Sequence, residues 1–201
     1  MSAFDVVAEF ERKVAAFAGA RYGVAVDSCT SALFLSCKYL GVSDVHIPAK
    51  TYISVPAAIV HAGGRVRFLD VEWSGAYRLE PYPIWDSAKR FRGGMYNGGY
   101  HCVSFHMKKL LPIGRGGMIV TDDAKAVEWF RRARHDGREG GKPFMQEQIT
   151  FLGWNAYMTP EQASRGLHLL EGLKSDLPDL YDEYPDLRDM PVFKQKKVRA
   201  A

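Results

Sequence analysis

The sequence lacks the features that mark membrane-spanning and secreted proteins. Its longest mainly apolar stretch, residues 53–60, is interrupted by Ser54 and Pro56, whereas a membrane-spanning helix needs about 20 apolar residues. The N-terminal segment carries acids at Asp5 and Glu9, which is not typical of a secretory signal. We therefore expect no membrane association.

Cysteine is scarce and is not arranged for metal binding. The three cysteines, Cys29, Cys37 and Cys102, form no C-x-x-C pair, and the six histidines form no H-E-x-x-H or H-x-H motif. An odd number of cysteines without ligand spacing argues against a disulfide framework and against structural zinc. The sequence thus predicts no metal site and a reducing compartment, the cytoplasm.

Charge and composition exclude several other classes of protein. Of the 201 residues 47% are hydrophobic and 25% are charged, which is ordinary for a globular protein and argues against a disordered or fibrous chain. The net charge is only +4, so it neither requires nor excludes an anionic partner. The basic run K-Q-K-K-V-R near the C-terminus is more typical of a solvated end than of a nucleic-acid site, and we expect no nucleic-acid partner.

Apolar periodicity predicts helices alternating with strands. Helices are expected at residues 4–18, 28–41 and 51–64, and strands at 23–26, 45–48 and 65–70. After Asp70 we expect a loop at 74–83, strands at 83–86, 100–106 and 117–123, and helices at 125–135 and 160–173, the last one capped by Thr159. This alternation predicts an α/β fold with a mainly parallel sheet over residues 1–174, followed by a charged, mobile tail over 175–201.

Two features lie where predicted strands end. Ser28, Cys29 and Thr30 follow the first strand and open a helix, whose free N–H groups attract phosphate. Asp86 ends the strand P-I-W-D, at the sheet edge where α/β proteins bind ligands. Taken singly, each feature favours a simpler interpretation: Ser28 as a helix cap, and Asp86 as a turn residue that caps the next helix.

The segment S-F-H-M-K-K-L-L-P-I-G-R-G-G is the most specific feature. Lys108 and Lys109 follow a strand and precede a glycine cluster, and we expect one of them to be buried and the other exposed. A desolvated lysine has a lowered pKa and forms Schiff bases, although most lysine pairs are simply solvated. An anion-binding helix start, an acid and a lysine are together the parts that a pyridoxal phosphate site needs.

Several segments, in order, carry a family resemblance. V-D-S-C-T-S-A-L, A-K-T-Y-I-S, I-W-D-S-A-K, the lysine segment and G-W-N-A-Y-M-T-P-E-Q-A resemble the DegT/StrS group of sugar-nucleotide aminotransferases, over about residues 10–173. The resemblance implies the large domain of the fold type I pyridoxal phosphate enzymes. It also implies that an amino-acid donor, glutamate or glutamine, gives its amino group to a keto acceptor such as a nucleotide-linked keto sugar.

The resemblance also implies roles for individual residues. Lys109 matches the Schiff-base lysine, and Asp86 matches the partner of the pyridinium nitrogen. Phosphate contacts are matched by Ser28, Cys29, Thr30 and Ser104, and the aromatic residue stacked on the ring is matched by Tyr52. Lys89 matches a position close to the cofactor's phenolic oxygen or to the substrate. Asn155 matches the asparagine that reaches the cofactor phosphate of the partner subunit. The family pattern therefore implies a homodimer with shared sites.

The chain departs from the family pattern in ways that leave two interpretations open. Cys29 replaces a glycine, Lys89 a glutamine, Arg115 an acid and Tyr157 an arginine. A strand–helix unit is expected to be missing between residues 70 and 83, and the small C-terminal domain after about residue 173. The chain is then either a compact active aminotransferase or a reduced, non-catalytic cofactor-binding or regulatory subunit, including one half of a split enzyme.

Overall fold

A computed structural model describes residues 4–194 of the chain. Within this range there are six α-helices: α1 (Asp5–Ala18), α2 (Cys29–Leu40), α3 (Ser54–His61), α4 (Ala124–Ala133), α5 (Pro160–Glu171) and α6 (Pro191–Lys194). The same described residues form seven strands: β1 (Tyr22–Val26), β2 (Asp44–Pro48), β3 (Arg65–Leu69), β4 (Tyr77–Arg78), β5 (Ile84–Asp86), β6 (Tyr100–Ser104) and β7 (Gly117–Thr121). Every helix and strand expected from the sequence is therefore present, with shifts of a few residues at the ends.

The α/β class is confirmed, but the sheet is mixed rather than mainly parallel. Five strands pair in the order β1-β7-β6-β5-β4, and β2 and β3 form a separate parallel pair. Strand β7 runs antiparallel to both β1 and β6, because residues 106–116 form a short connection that brings the chain straight back beside β6. Strands β1, β5 and β6 consequently point the same way, and their C-terminal ends meet at one edge of the sheet.

The sheet lies between two layers of helices. Alternate residues of each central strand face opposite sides, so Cys102 and Ile119 pack towards α2, α3 and α4, while Val103 and Met118 pack towards α1 and α5. Because both faces are covered by helices, strands β6 and β7 are buried along their whole length. Helix α5 begins with the predicted Thr159 cap, which forms a complete capping box with Gln162.

Two expectations about the less regular segments are wrong. The predicted loop 74–83 contains the short strand β4, which pairs antiparallel with β5. Residues 175–194 do not form a detached tail: Leu187 is buried, and its N–H donates to the Ala49 carbonyl at 2.9 Å. The basic run after Lys194 lies outside the described residues.

Within residues 4–194, no helix combines the length and the apolar content that crossing a membrane requires.

Candidate active site

A cavity of about 430 Å³ opens where β1, β5 and β6 end. It is lined by eight of the nine side chains to which the resemblance assigns roles: Ser28, Cys29, Thr30, Tyr52, Asp86, Lys89, Ser104 and Lys109. These residues come from five segments spread over some 80 positions of the chain. The parallel arrangement of the three strands brings the residues at their C-terminal ends to one place, and Tyr52 joins them from the segment between β2 and α3.

The start of α2 forms the first wall of the cavity. Ser28 is its N-cap, and its hydroxyl accepts the Ser31 N–H at 3.1 Å, so the capping interpretation of Ser28 is confirmed. The free N–H groups and partial positive charge of this helix start still favour an anion. The Cys29 thiol lies 3.3 Å from the Cys102 carbonyl oxygen, and burial raises the pKa of that thiol. The side chain that replaces glycine therefore packs against β6.

The glycine at which β7 begins allows the sheet to approach this helix start closely. A Cβ on Gly117 would lie 2.4 Å from the Ser28 carbonyl carbon and 2.5 Å from the Cys29 nitrogen. No real Cβ contact is that short, so only glycine fits there. Gly117 thus sets how deeply the Ser28–Cys29 peptide sits against the sheet.

Asp86 is a buried acid at the end of β5. Its side chain is 4% exposed, and it accepts the Ala88 N–H at 3.0 Å. Burial raises the pKa of Asp86, although hydrogen bonds from Ala88 and the Tyr77 hydroxyl oppose that shift. The Tyr77 hydroxyl is held in turn by Thr51, 2.6 Å away.

Asp86 and the start of α2 together fit the expected cofactor, pyridoxal phosphate. Asp86 takes part in none of the ion pairs found within residues 4–194, so a buried carboxylate faces the cavity without a salt-bridge partner. A protonated ring nitrogen would supply the missing cation. The start of α2, with the hydroxyls of Ser28 and Thr30, would receive the phosphate.

The two lysines differ in exposure, although neither is fully buried as the sequence predicted. Lys108 is exposed, whereas Lys109 is half-buried in the turn after β6, where its N–H donates to the His106 carbonyl at 2.8 Å. Ser104, at the end of β6, is 8% exposed. Tyr52 is 57% exposed and lies at the cavity rim, with its ring 6.2 Å from that of Tyr184.

Both unusual cations at the cavity already have acidic partners. Arg115 binds Asp27 at 2.7 Å. The Lys89 ammonium lies 3.5 Å from the Asp182 carboxylate and 3.1 Å from its carbonyl oxygen. An anionic substrate would have to compete with these acids.

Two predicted positions lie away from the cavity. Asn155 is exposed, and its backbone bridges to His135. Tyr157 packs edge-on against the His135 ring at 5.3 Å. Neither side chain is among those that line the cavity.

Some cavity residues were missed by the sequence reasoning. Trp73, Asp182 and Tyr184 line the cavity. Trp73 directly precedes the expected loop 74–83, whereas Asp182 and Tyr184 lie in the segment that was expected to be a tail. Only the aromatic content of those polar segments could have suggested a role for them.

Comparisons with known proteins agree with this geometry. The profile of the DegT/DnrJ/EryC1/StrS aminotransferase family matches residues 2–82 and 90–178. The chain is 26% identical to the spore coat polysaccharide biosynthesis protein SpsC of Bacillus subtilis, over 83% of this chain and 57% of that protein. It is 24% identical to the GDP-perosamine synthase of Caulobacter vibrioides, over 85% and 58% respectively. The chain thus spans somewhat over half the length of these relatives.

The solved structures show the same fold. NtdA of Bacillus subtilis, crystallised with bound cofactor PMP, superimposes with a TM-score of 0.71 at 18% identity, over 84% of this chain and 48% of that one. This likeness confirms the fold type I architecture expected from the sequence. Because the family profile covers most of the chain, the protein belongs to the DegT/DnrJ/EryC1/StrS aminotransferase family.

Proposed function

We propose that the chain binds pyridoxal phosphate and transfers an amino group from glutamate or glutamine to a keto acceptor. The observation that carries this proposal is that a buried acid, a half-buried lysine and a helix N-terminus line the same cavity. Bound pyridoxal phosphate would supply an electron sink for the carbon that carries the amino group. The chain's own residues have to hold that ring, orient it and move protons.

The catalytic roles fall to Asp86 and Lys109. Asp86 is proposed to keep a proton on the ring nitrogen, because a carboxylate beside an N–H cation favours the charged form of both groups. Lys109 is proposed to bind the cofactor covalently and, once released, to carry the proton removed from the donor's α-carbon. Its place in a short turn would keep the amine within reach of that carbon.

The remaining cavity residues are proposed to orient the cofactor. The start of α2 and the hydroxyls of Ser28, Thr30 and Ser104 would hold the phosphate. The peptide of Cys29 belongs to the same cradle, and Tyr52 at the rim would cover one face of the ring. Lys89 is proposed to lie near the phenolic oxygen of the cofactor.

The acceptor is proposed to be a nucleotide-linked keto sugar. The support is the similarity to a GDP-perosamine synthase, whose name identifies a nucleotide-linked sugar as the product of that relative. Lys89 and Arg115 place two cations beside the cavity, where they would attract an anionic acceptor if it displaced Asp182 or Asp27.

We further propose a homodimer that acts in the cytoplasm. Asn155 is exposed and lies outside the cavity, as expected of a side chain that serves a partner's site. The three free cysteines suit a reducing compartment.

A second candidate is a non-catalytic cofactor-binding subunit. It is favoured by Tyr157, which replaces an arginine and packs on His135 away from the cavity. Such a subunit would hold the cofactor without converting it.

Half-reaction spectroscopy separates the two candidates. We expect glutamate or glutamine to convert the bound cofactor to pyridoxamine phosphate, with a loss of its visible absorption. Turnover should then require large, nucleotide-linked ketones. Equal turnover of pyruvate would contradict the proposed acceptor class, and failure of every donor to change the spectrum would favour the non-catalytic subunit.

A further inference from the structure

Residues 175–194 run back across the body of the protein beside the cavity. The Gly93 N–H donates to the Ser175 carbonyl at 2.8 Å, and the Leu180 N–H donates to the Lys89 carbonyl at 2.9 Å. Within this segment, residues 179–184 form a strap that borders the cavity. The strap residues 181–183 are exposed, so they are held by anchors rather than by burial in the core.

Lys89 is the first anchor of the strap. Its side chain is only 4% exposed, and a buried ammonium is costly unless it is paired. The strap supplies that pairing through the Asp182 carbonyl and carboxylate, and through the Tyr184 ring, whose centroid lies 4.1 Å from the ammonium. Trp73 adds a second ring at 4.9 Å from the body side.

Arg90 is the second anchor. Its guanidinium donates to both carboxylate oxygens of Asp179, at 2.9 and 2.5 Å. The same group donates to the Ser74 carbonyl at 3.1 Å. A Cβ on Gly75 would lie 2.1 Å from the Asp179 carboxyl group, so this acid packs directly against the backbone of the body.

The contacts of Lys89 also separate two cavities. A second cavity of about 380 Å³ lies beside the first. The two share four lining residues: Trp73, Lys89, Asp182 and Tyr184. If the Lys89 ammonium lost its contacts with Asp182 and Tyr184, these shared residues would no longer separate the two cavities, and the cavities would join.

We propose that Lys89 is a positioning residue that holds the strap as the wall between the two cavities, and that it thereby sets the size of the molecule that reaches the first cavity. A small molecule enters the first cavity with the strap in place. A larger one needs the strap displaced, and then extends into the second cavity. Arg90 keeps the start of the strap fixed, so the movable part is residues 181–184.

The test measures access to the first cavity without using enzyme activity. Cys29 lines that cavity, whereas Cys37 and Cys102 are buried. The full chain as purified is treated with methyl methanethiosulfonate or with a methanethiosulfonate that carries a dansyl group. Mass spectrometry gives the rate at which each reagent modifies Cys29, and the variants are compared in the same cofactor state.

We expect Lys89→Met to raise the rate of the bulky reagent about tenfold, because the variant loses the desolvated cation–π and ion-pair contacts that hold the strap. The rate of the small reagent should change by less than about twofold. Amide exchange should accelerate in residues 181–184 but not in β6 or β7. Lys89→Arg, which keeps a cation between the rings, should restore most of the selectivity.

Lys50→Met is the matched control. Lys50 lines the second cavity, but its pair with Glu72 is exposed and 3.9 Å long, so its loss should change neither rate. If Lys89→Met does not fold, Asp182→Ala and Tyr184→Leu remove the same contacts from the strap side and should give the same selective increase. If the ratio of the modification rates with the bulky and the small reagent is unchanged in the folded variants, the proposal is overturned. Because no step uses donor or acceptor, this outcome is independent of aminotransfer.

Discussion

Asp86 is the residue whose surroundings most constrain the chemistry of the cavity. It is buried, it has hydrogen-bond donors in Ala88 and Tyr77, and its raised pKa reflects the cost of holding a charge there. A cationic ring nitrogen would lower that cost. The carboxylate and the ring nitrogen would therefore stabilise each other's charge.

Replacing this carboxylate should separate binding from catalysis. We expect Asp86→Asn to retain a bound, coloured cofactor but to lose transamination by about a hundredfold or more, because an amide does not keep the ring nitrogen protonated. Asp44→Asn, which alters a surface acid paired with Arg65, should leave the rate unchanged. Full activity in Asp86→Asn would remove the assignment.

His101 supports β5 from the neighbouring strand. Its Nε2–H donates to the Asn97 side-chain oxygen at 2.7 Å, its Nδ1 accepts from the Ser87 hydroxyl at 3.0 Å, and its ring stacks on Trp85. Burial lowers the pKa of His101 from 6.5 to about 4. The folded state therefore holds the neutral ring.

This depressed pKa predicts a loss of stability in acid. The unfolded chain binds a proton near pH 6.5 and the folded chain only near pH 4, so stability falls as the pH drops through that interval. The loss from this one group is about 3 kcal/mol. Urea unfolding at pH 7, 5 and 4 should show a shallower decline in His101→Gln than in the unmodified chain. Parallel curves for the two proteins would show that His101 does not carry the effect.

The start of α2 depends on the close approach of β7. Gly117→Ala would force a Cβ against the Ser28–Cys29 peptide. We expect a loss of about 2 kcal/mol in unfolding free energy together with weaker binding of pyridoxal phosphate, because the phosphate cradle is displaced. Gly172→Ala, at the end of α5 where a Cβ meets nothing within 4 Å, is the control. Cofactor affinity that is equal in both variants would contradict the proposed cradle.

Elements with their own periodicity were predictable from the sequence, and elements that depend on distant partners were not. Helices α1 and α5 carry clear apolar stripes and end signals, so their ends were predicted to within two residues. Strand β4 is two residues long and exists only through its pairing with β5. Its local sequence, flanked by glycine and prolines, is that of a turn.

The expectation of a mobile tail after Ser175 was wrong for a related reason. Its acids and prolines are typical of a solvated tail. In the structure, however, Asp179 pairs with Arg90 and Asp182 pairs with Lys89, some 90 positions earlier in the chain. No local pattern reveals such pairing. The position of the candidate site residues could be predicted, because those at the ends of β1, β5 and β6 stand next to recognisable strands. Their roles remain proposals.

At the scale of the whole molecule, residues 139–152 carry several strongly exposed apolar side chains. Phe144, Met145 and Leu152 are 64%, 91% and 85% exposed, and this segment leads directly to Asn155. Such a patch is typical of a protein–protein interface. We propose that it contributes to the dimer.

Charges placed in this surface should weaken the dimer. We expect Met145→Glu combined with Leu152→Glu to raise the dimer dissociation constant about tenfold or more, as measured by sedimentation velocity at micromolar concentration. Val192→Glu, an exposed site on α6, is the control. An unmodified chain that sediments as a monomer while holding cofactor would defeat the shared-site proposal.

The central claim is that this cavity holds pyridoxal phosphate through Lys109. The most direct measurement is borohydride reduction of the protein with bound cofactor, followed by peptide mass spectrometry. The account predicts that the visible absorption disappears and that the cofactor becomes fixed to Lys109, while the exposed Lys108 stays unmodified. Cofactor fixed to Lys108 or Lys89 with Lys109 free, or no fixation at any lysine, would contradict it.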